Sequence, residues 1–253
     1  MDEVVQGHRR GAGWTTVGYG LHLRGAPSFA GELRAWQLVL PPGAVFTHLT
    51  AARLRGWWLP TGPTPVHVAV GERDRHPQRQ GLDVVRLAER PAAEGLDGLP
   101  VATAAETVLA AARDLDVLDL VPLADSALHL RHCTADELAA VARQRRRGAP
   151  RLRQVLPLLD GRSESAWESV LRLLHHVAEV EVEPQRRIED DAGRFVARAD
   201  LWVVGTRRLH EYDGEVHRER DTHRADLARD RRLVENGGSA SAGPPPRCCR
   251  AVR

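Results

Sequence analysis

Hydrophobic positions follow helical spacing in some parts of the chain and alternate in others. In the first half, residues 47–54 predict a short helix, and residues 65–70 and 82–87 predict strands. In the second half, a helix over residues 163–178 is followed by three strands and then by a basic helix over 219–235. The three strands cover residues 180–188, 194–204 and 208–214. This mixture of elements predicts an α+β fold.

Two pairs of residues have the spacing of a capping box, in which a hydroxyl and a carboxylate bond free N–H groups at a helix start. They are Thr103 with Glu106 and Thr134 with Glu137. Between them, residues 117–130 carry apolar residues at helical spacing. The later helix, 163–178, has an apolar face that predicts its packing side. That face consists of Trp167, Val170, Leu171, Leu174 and Val177.

Changes in pattern divide the chain into four parts. Residues 1–42 are weakly patterned, and residues 43–160 form a mostly helical module with a few strands. A break near Gly161 begins the second domain, residues 161–236. Residues 237–253 are rich in Gly, Ser and Pro without periodicity, so we expect a disordered tail. The composition of this tail is also that of a GC-rich gene translated out of frame.

The overall composition indicates a globular protein. Of 253 residues, 42% are hydrophobic and 28% charged, and no apolar run is long enough for a membrane span. The N-terminus has no apolar signal core, so we expect a cytoplasmic protein without membrane contact. All 36 basic residues are arginines, which is typical of a GC-rich coding sequence and is not by itself a sign of nucleic-acid binding. No site in this chain can use a lysine.

The second predicted hairpin brings two carboxylates together. If Gly205 and Thr206 form a two-residue turn, Asp200 lies opposite Glu211. Like charges directly opposite each other destabilise a sheet, and a hard cation such as Mg²⁺ or Mn²⁺ between the carboxylates would compensate. The alternative is a solvated face on which arginines balance the two acids. Those arginines would be Arg198, Arg207 or Arg208.

The same region resembles a known nuclease family. Residues 195–200 (FVARAD) and 211–217 (EYDGEVH) are similar to the Vsr-like branch of the PD-(D/E)xK superfamily, and the resemblance extends over about residues 163–235. It implies a restriction-endonuclease-like α-β-β-β-α core, here without its last strand. It also implies a metal-dependent endonuclease that acts on DNA.

The resemblance implies a role for five residues. Asp200 and Glu211 would be metal ligands, Asp213 would occupy the place of the missing lysine, and His217 would be a general acid or base. Glu168 would be the acid of the first helix. Each has a simpler interpretation as well: Glu168 completes a capping box with Ser165, and His217 is a loop histidine. Four arginines of the basic helix would contact DNA phosphates or lie on a solvated face: Arg224, Arg229, Arg231 and Arg232.

The first half resembles another family. Residues 46–59 and 96–109 are similar to AbiEi-type antitoxins and regulators, over about residues 44–130. The resemblance implies a DNA-binding winged helix near the N-terminus, of which residues 18–22 (GYGLH) would be a wing remnant. Two hypotheses therefore stand: an endonuclease whose N-terminal module contacts a protein partner or the target, and a non-catalytic regulator of a toxin–antitoxin system. The oligomeric state stays open.

Overall fold

A computed structural model describes residues 3–7, 13–25, 28–60, 65–190, 192–211 and 250–252. The chain divides into two compact units, Met1–Pro157 and Leu158–Arg253. Both units combine helices with sheets, so the protein is α+β, as the sequence predicts. No helix within the described ranges is long and apolar enough to cross a membrane.

The N-terminal unit starts with a small antiparallel sheet. Its strands are β1 (Glu3–Gln6), β2 (Trp14–Gly18) and β3 (Leu21–Arg24), in the order β1-β3-β2. Helix α1 (Phe29–Gln37) packs against this sheet, with Trp36 buried against Leu21. The sequence predicts only weak patterning over 1–42, whereas this segment forms three strands and a helix. The strands are too short to establish a periodicity. Residues 18–22, for which the resemblance implies a wing remnant, lie in the β2–β3 hairpin.

A second, five-stranded sheet forms the centre of this unit. Its strands are β4 (Val45–Phe46), β5 (Val66–Gly71), β6 (Leu82–Leu87), β7 (Ala93–Leu96) and β8 (Leu99–Ala102). The order is β6-β5-β4-β8-β7, with β5 parallel to β6 and β4 parallel to β8. Phe46, Val68 and Val101 are almost fully buried in the core on this sheet.

Helices pack beside the second sheet. They are α2 (His48–Leu54), α3 (Ala104–Ala111), α4 (Val117–His129), α5 (Ala135–Ala142) and α6 (Ala149–Val155). The capping box predicted for Thr134 and Glu137 is confirmed at the start of α5. The one predicted for Thr103 and Glu106 is wrong, because the Thr103 side chain makes no capping bond. The Glu106 carboxylate instead accepts two hydrogen bonds of 2.7 Å from the Arg146 guanidinium.

The C-terminal unit consists of a helix and an antiparallel sheet. Helix α7 (Ala166–Val177) precedes β9 (Val182–Glu189), β10 (Phe195–Val203) and β11 (Leu209–Glu211). A short strand, β12 (Arg250–Val252), pairs with β11, so the sheet order is β12-β11-β10-β9. The structure thus differs from the expected disordered tail at these three residues. The predicted basic helix and residues 237–249 lie outside the described residues.

Helix α7 buries a different face from the one its sequence predicts. Trp167, Leu174 and Val177 are 53%, 54% and 79% exposed. The buried residues include Glu168 and Ser169, which are polar. The prediction is wrong because it ranks positions by hydrophobicity, whereas the polar start of the helix is fixed to the sheet by hydrogen bonds described below.

Candidate functional site

The β10–β11 hairpin has the register that the sequence predicts. Leu201 pairs with His210 and Trp202 with Leu209, and Val203 N–H donates to Arg208 O at 2.9 Å. Extending this register by one residue places Asp200 opposite Glu211. Opposite residues of an antiparallel pair share a face and have Cβ atoms about 4.5–5.5 Å apart. The backbone therefore brings the two predicted ligand positions together.

Asp200 lies on the more polar face of β10. Its neighbours Ala199 and Leu201 are fully buried and point to the opposite face, whereas Asp200 is half-buried. The other charged residue on its face is Arg198, whose guanidinium contacts the Glu164 carboxylate at 2.8 and 2.9 Å. The Arg198 charge is thus balanced by Glu164. This weakens the alternative in which Arg198 neutralises the carboxylate pair.

Glu168 is buried, and its carboxylate accepts hydrogen bonds from three groups. Its Oε1 accepts from Ser165 Oγ at 2.9 Å, and its Oε2 accepts from Glu164 N–H at 3.0 Å and from Gln185 Nε2 at 2.8 Å. Ser165 in turn caps α7 by accepting from Glu168 N–H. This resembles a capping box, but the carboxylate bonds the N–H one residue before the cap. The arrangement fixes the start of α7 to β9.

Gln185 connects Glu168 to the strand that contains Asp200. It lies opposite Asp200 in the β9–β10 ladder, between the pairs Ala199–Arg186 and Leu201–Pro184. Its backbone is left-handed, with φ +55°, a strained conformation for a residue with a side chain. Among the described residues its Oε1 is buried without a hydrogen-bond partner. Gln185 is therefore a residue of this region that sequence patterns did not reveal.

The opposite face of β11 contacts helix α7. The rings of His175 and His210 lie 4.8 Å apart and are tilted by 52°. Burial lowers the pKa of His210, and the charges of His175 and Arg208 lower it further. Because neighbouring positions of a strand alternate between its two faces, His210 and the backbone position of Glu211 belong to opposite faces. This histidine pair is therefore separate from the Asp200–Glu211 position.

The structure describes only some of the remaining predicted site residues. Of Glu211 it describes the backbone. Asp213, His217 and the four arginines Arg224, Arg229, Arg231 and Arg232 lie outside the described residues. Among the described residues there is no group of three or more His, Cys, Asp or Glu side chains that could hold a metal ion. The donor set of the predicted site, two carboxylates, still has the oxygen chemistry that Mg²⁺ and Mn²⁺ require.

A second cluster of titratable groups lies in the N-terminal unit. The rings of His48 and His67 stack 5.3 Å apart, and both residues are buried. His48 Nε2 lies 3.6 Å from Asp114 Oδ2, and His67 Nε2 lies 3.7 Å from Asp83 Oδ2. Among the described residues, neither ring nitrogen of His48 has a hydrogen-bond partner. His48 also has a left-handed backbone, with φ +50°.

The environment of His48 keeps its ring neutral. Burial lowers the pKa of His48 to about 3, and the charges of His67 and Arg113 contribute. Asp114 does not reverse the pKa shift, because its carboxylate is 59% exposed and is screened by water. His48 lines a cavity of about 340 Å³ together with Glu106, Arg113 and Arg146. The sequence analysis did not single out this cluster, although His48 is part of the segment that resembles AbiEi-type proteins.

Comparisons with known proteins give two uncharacterized relatives and one solved structure. No protein-family model matches the sequence. The chain is 31% identical over 169 residues to the uncharacterized proteins MT2308 and Rv2248, from two strains of Mycobacterium tuberculosis. The match covers 65% of this chain and spans 60% of the length of these curated relatives. A crystal structure of the RV2827C protein from the same species has a TM-score of 0.40 and 17% identity, over 68% of each chain.

Proposed function

We propose that this protein is a metal-dependent DNA endonuclease that hydrolyses phosphodiester bonds. The observation that supports this proposal is the register of the β10–β11 hairpin, which sets Asp200 opposite Glu211. Two carboxylate positions opposite each other in one strand pair supply the oxygen ligands that a divalent cation such as Mg²⁺ prefers. The proposal places the protein in the cytoplasm, with DNA as its substrate and an N-terminal unit that contacts the target or a protein partner.

The residues of the chain would divide the reaction between them. Asp200 and Glu211 would hold Mg²⁺ or Mn²⁺, which when bound polarises the phosphate and lowers the pKa of the attacking water. The water oxygen bonds to phosphorus, and the bond from phosphorus to the leaving sugar oxygen breaks. His217 would transfer a proton at that oxygen or at the water. Asp213 would stand where related nucleases have a lysine.

Glu168 would be a positioning residue in this scheme. Its carboxylate already accepts three hydrogen bonds, which leaves about one of its four acceptor positions for a metal ion. Through Gln185 it instead holds the part of β9 that lies opposite Asp200. The four arginines of the predicted basic helix would contact the phosphates of the substrate.

Cleavage of supercoiled plasmid in Mg²⁺ or Mn²⁺ tests the proposal. We expect the wild type to cleave only with metal, and Glu211→Gln to abolish cleavage because an amide is a weaker ligand without negative charge. The matched control is Glu189→Gln, which makes the same change on an exposed residue of β9 that pairs with Arg187. Equal cleavage by the wild type and Glu211→Gln would reject the assignment. Absence of cleavage by the wild type with either metal would reject the endonuclease.

A second function is favoured by the structural role of Glu168. A carboxylate that caps a helix and bonds a neighbouring strand is explained by stability alone. The alternative is therefore a non-catalytic, DNA-binding regulator of the antitoxin type, in which the nuclease-like unit is a scaffold. A sequence-specific footprint on operator DNA without any metal-dependent cleavage would support this function over the first.

A further inference from the structure

An open groove in the N-terminal unit is lined mostly by arginines. It has a volume of about 890 Å³ and lies between the ends of α3 and α5, the loop that follows α5, and α6. Seven of its twelve described lining residues are arginines, compared with 36 basic residues among the 253 of the whole chain. The enrichment is therefore local and is not explained by the general use of arginine in this protein. We call this feature the arginine groove.

The arginines reach the groove from several elements. Arg113 follows α3, Arg143 follows α5, residues 145–147 form the loop, and Arg151 and Arg153 belong to α6. Gly148 allows the start of α6 to lie close to the end of α3. Its φ is +88°, and a Cβ atom at this position would lie 2.3 Å from Leu109 O. Six of the seven arginines fall within residues 143–153, and the fold adds Arg113 from the end of α3.

Most of the positive charge in the arginine groove is not neutralised by carboxylates. Arg143, Arg151 and Arg153 each donate to a backbone carbonyl, of Ala139, Leu115 and Ala142 respectively. Such bonds orient a guanidinium while leaving its charge and its other donors available. Arg145 and Arg147 are exposed and have no ion pair or hydrogen bond to any described residue.

Two carboxylates partly balance this charge. Arg146 is paired with Glu106, which lies beneath the loop. Asp114 is the acidic residue among the described lining, and it also contacts His48. The six other arginines of the groove lack a carboxylate partner among the described residues. The groove is therefore strongly electropositive.

The chemistry of the lining favours a chain of phosphates as the ligand. Protein interfaces depend on aromatic or large apolar anchors, and no described lining residue of the groove is of either kind. Small molecules usually bind in enclosed, largely apolar pockets, whereas this groove is open and polar. Guanidinium groups match phosphate oxygens in pairs of hydrogen bonds. Several guanidinium groups along an open groove offer contacts to successive phosphates of one chain.

We propose that the arginine groove binds the sugar–phosphate backbone of DNA. DNA is also the substrate in the proposed function, but the arginine groove lies in the other unit, and its binding of DNA does not depend on cleavage. It implies that the N-terminal unit contributes to affinity for DNA without reading its sequence, because backbone contacts carry no sequence information directly.

Fluorescence anisotropy with the full-length protein and a short labelled DNA duplex in EDTA tests the proposal. The variant Arg145→Ala/Arg147→Ala removes two exposed arginines without disturbing a described contact. The matched control is Arg73→Ala/Arg75→Ala, which removes two exposed arginines with the same spacing from another surface of the same unit. Arg143→Gln provides a further variant should the double variant fold poorly.

We expect the Arg145→Ala/Arg147→Ala variant to bind DNA about tenfold more weakly or worse, with a salt dependence shallower by about two phosphate contacts between about 50 and 200 mM salt. The control should retain the wild-type affinity. Equal affinities and salt slopes in variant and wild type, or no binding by the wild type, would overturn the proposal. Tighter binding of single-stranded RNA through the same arginines would reject DNA as the ligand.

These results separate this proposal from the endonuclease. Weakened binding in the variant together with an absence of plasmid cleavage would retain the arginine groove and reject the nuclease. Normal cleavage together with unchanged binding would retain the nuclease and reject the groove.

Discussion

His48 makes the stability of the N-terminal unit dependent on pH. Its ring is buried and has a pKa of about 3 in the folded protein, compared with an ordinary value of 6.5. The unfolded chain therefore takes up a proton at a pH at which the folded chain does not. The contribution of His48 is fully present above about pH 6.5 and is lost progressively as the pH falls toward 3.

The size of this effect follows from the two pKa values. Between about pH 7 and pH 5, His48 alone should lower the free energy of unfolding by about 2 kcal/mol. His67 adds to the loss in the same direction, because burial also lowers its pKa, although Asp83 and Asp114 oppose the shift. The wild type should thus lose at least this amount over the interval.

The variant His48→Asn tests this reasoning. Asparagine tolerates the left-handed backbone at this position and does not titrate as histidine does. We expect the variant to lose about 2 kcal/mol less stability than the wild type between about pH 7 and pH 5, whatever its stability at neutral pH. His76→Asn, a change at an exposed histidine of the same unit, should keep the wild-type dependence.

The measurement must report on the N-terminal unit alone, because a chain with two compact units need not unfold in a single transition. Urea titrations in which hydrogen–deuterium exchange of peptides from α2 and β5 is the readout meet this requirement. If the wild type and His48→Asn lose the same stability over the interval, His48 is not a buried neutral histidine and the argument fails.

Two further substitutions test the packing beneath the arginine groove. Gly148→Ala should lower the free energy of unfolding by about 2 kcal/mol or more, for two reasons. The new Cβ would clash with Leu109 O, and the left-handed backbone at this position disfavours alanine. Gly98→Ala, where φ is +75° and no atom lies within 4 Å, should cost only about 1 kcal/mol. Similar losses in thermal denaturation would contradict the clash. Glu106→Gln should lower the stability by about 2 kcal/mol by weakening the two bonds to Arg146, and an unchanged urea midpoint would argue against that pair.

Local rules predicted those features that depend on neighbouring residues. The capping box at Thr134 and Glu137 and the register of the β10–β11 hairpin depend on a few consecutive residues, and both are present. The capping box predicted for the similar pair Thr103 and Glu106 is absent. Instead, the Glu106 carboxylate binds Arg146, forty residues later in the chain. Spacing alone does not distinguish these cases, since a long-range ion pair is set by the fold.

The larger errors concern faces and sites built from distant segments. The apolar stripe of α7 predicted a buried side, but the bond between Glu168 and Gln185 of β9 holds the polar side against the sheet. The arginine groove was not evident because arginine is common throughout this sequence. A run such as residues 143–147 has significance only once α3 and α6 are placed beside it.

The pair between Glu106 and Arg146 has a consequence for the energetics of ligand binding. Glu106 belongs to a buried face of α3, so its two bonds fix the middle of the arginine-rich loop to a rigid helix. Ordering a long side chain at an interface costs about 0.5–1.5 kcal/mol, and a disordered loop would lose further conformational entropy. Here the loop backbone is already ordered in the folded protein, so ligand binding loses little further backbone entropy. A polyanion that enters the groove therefore meets a preorganised surface, and its binding need not wait for a conformational change.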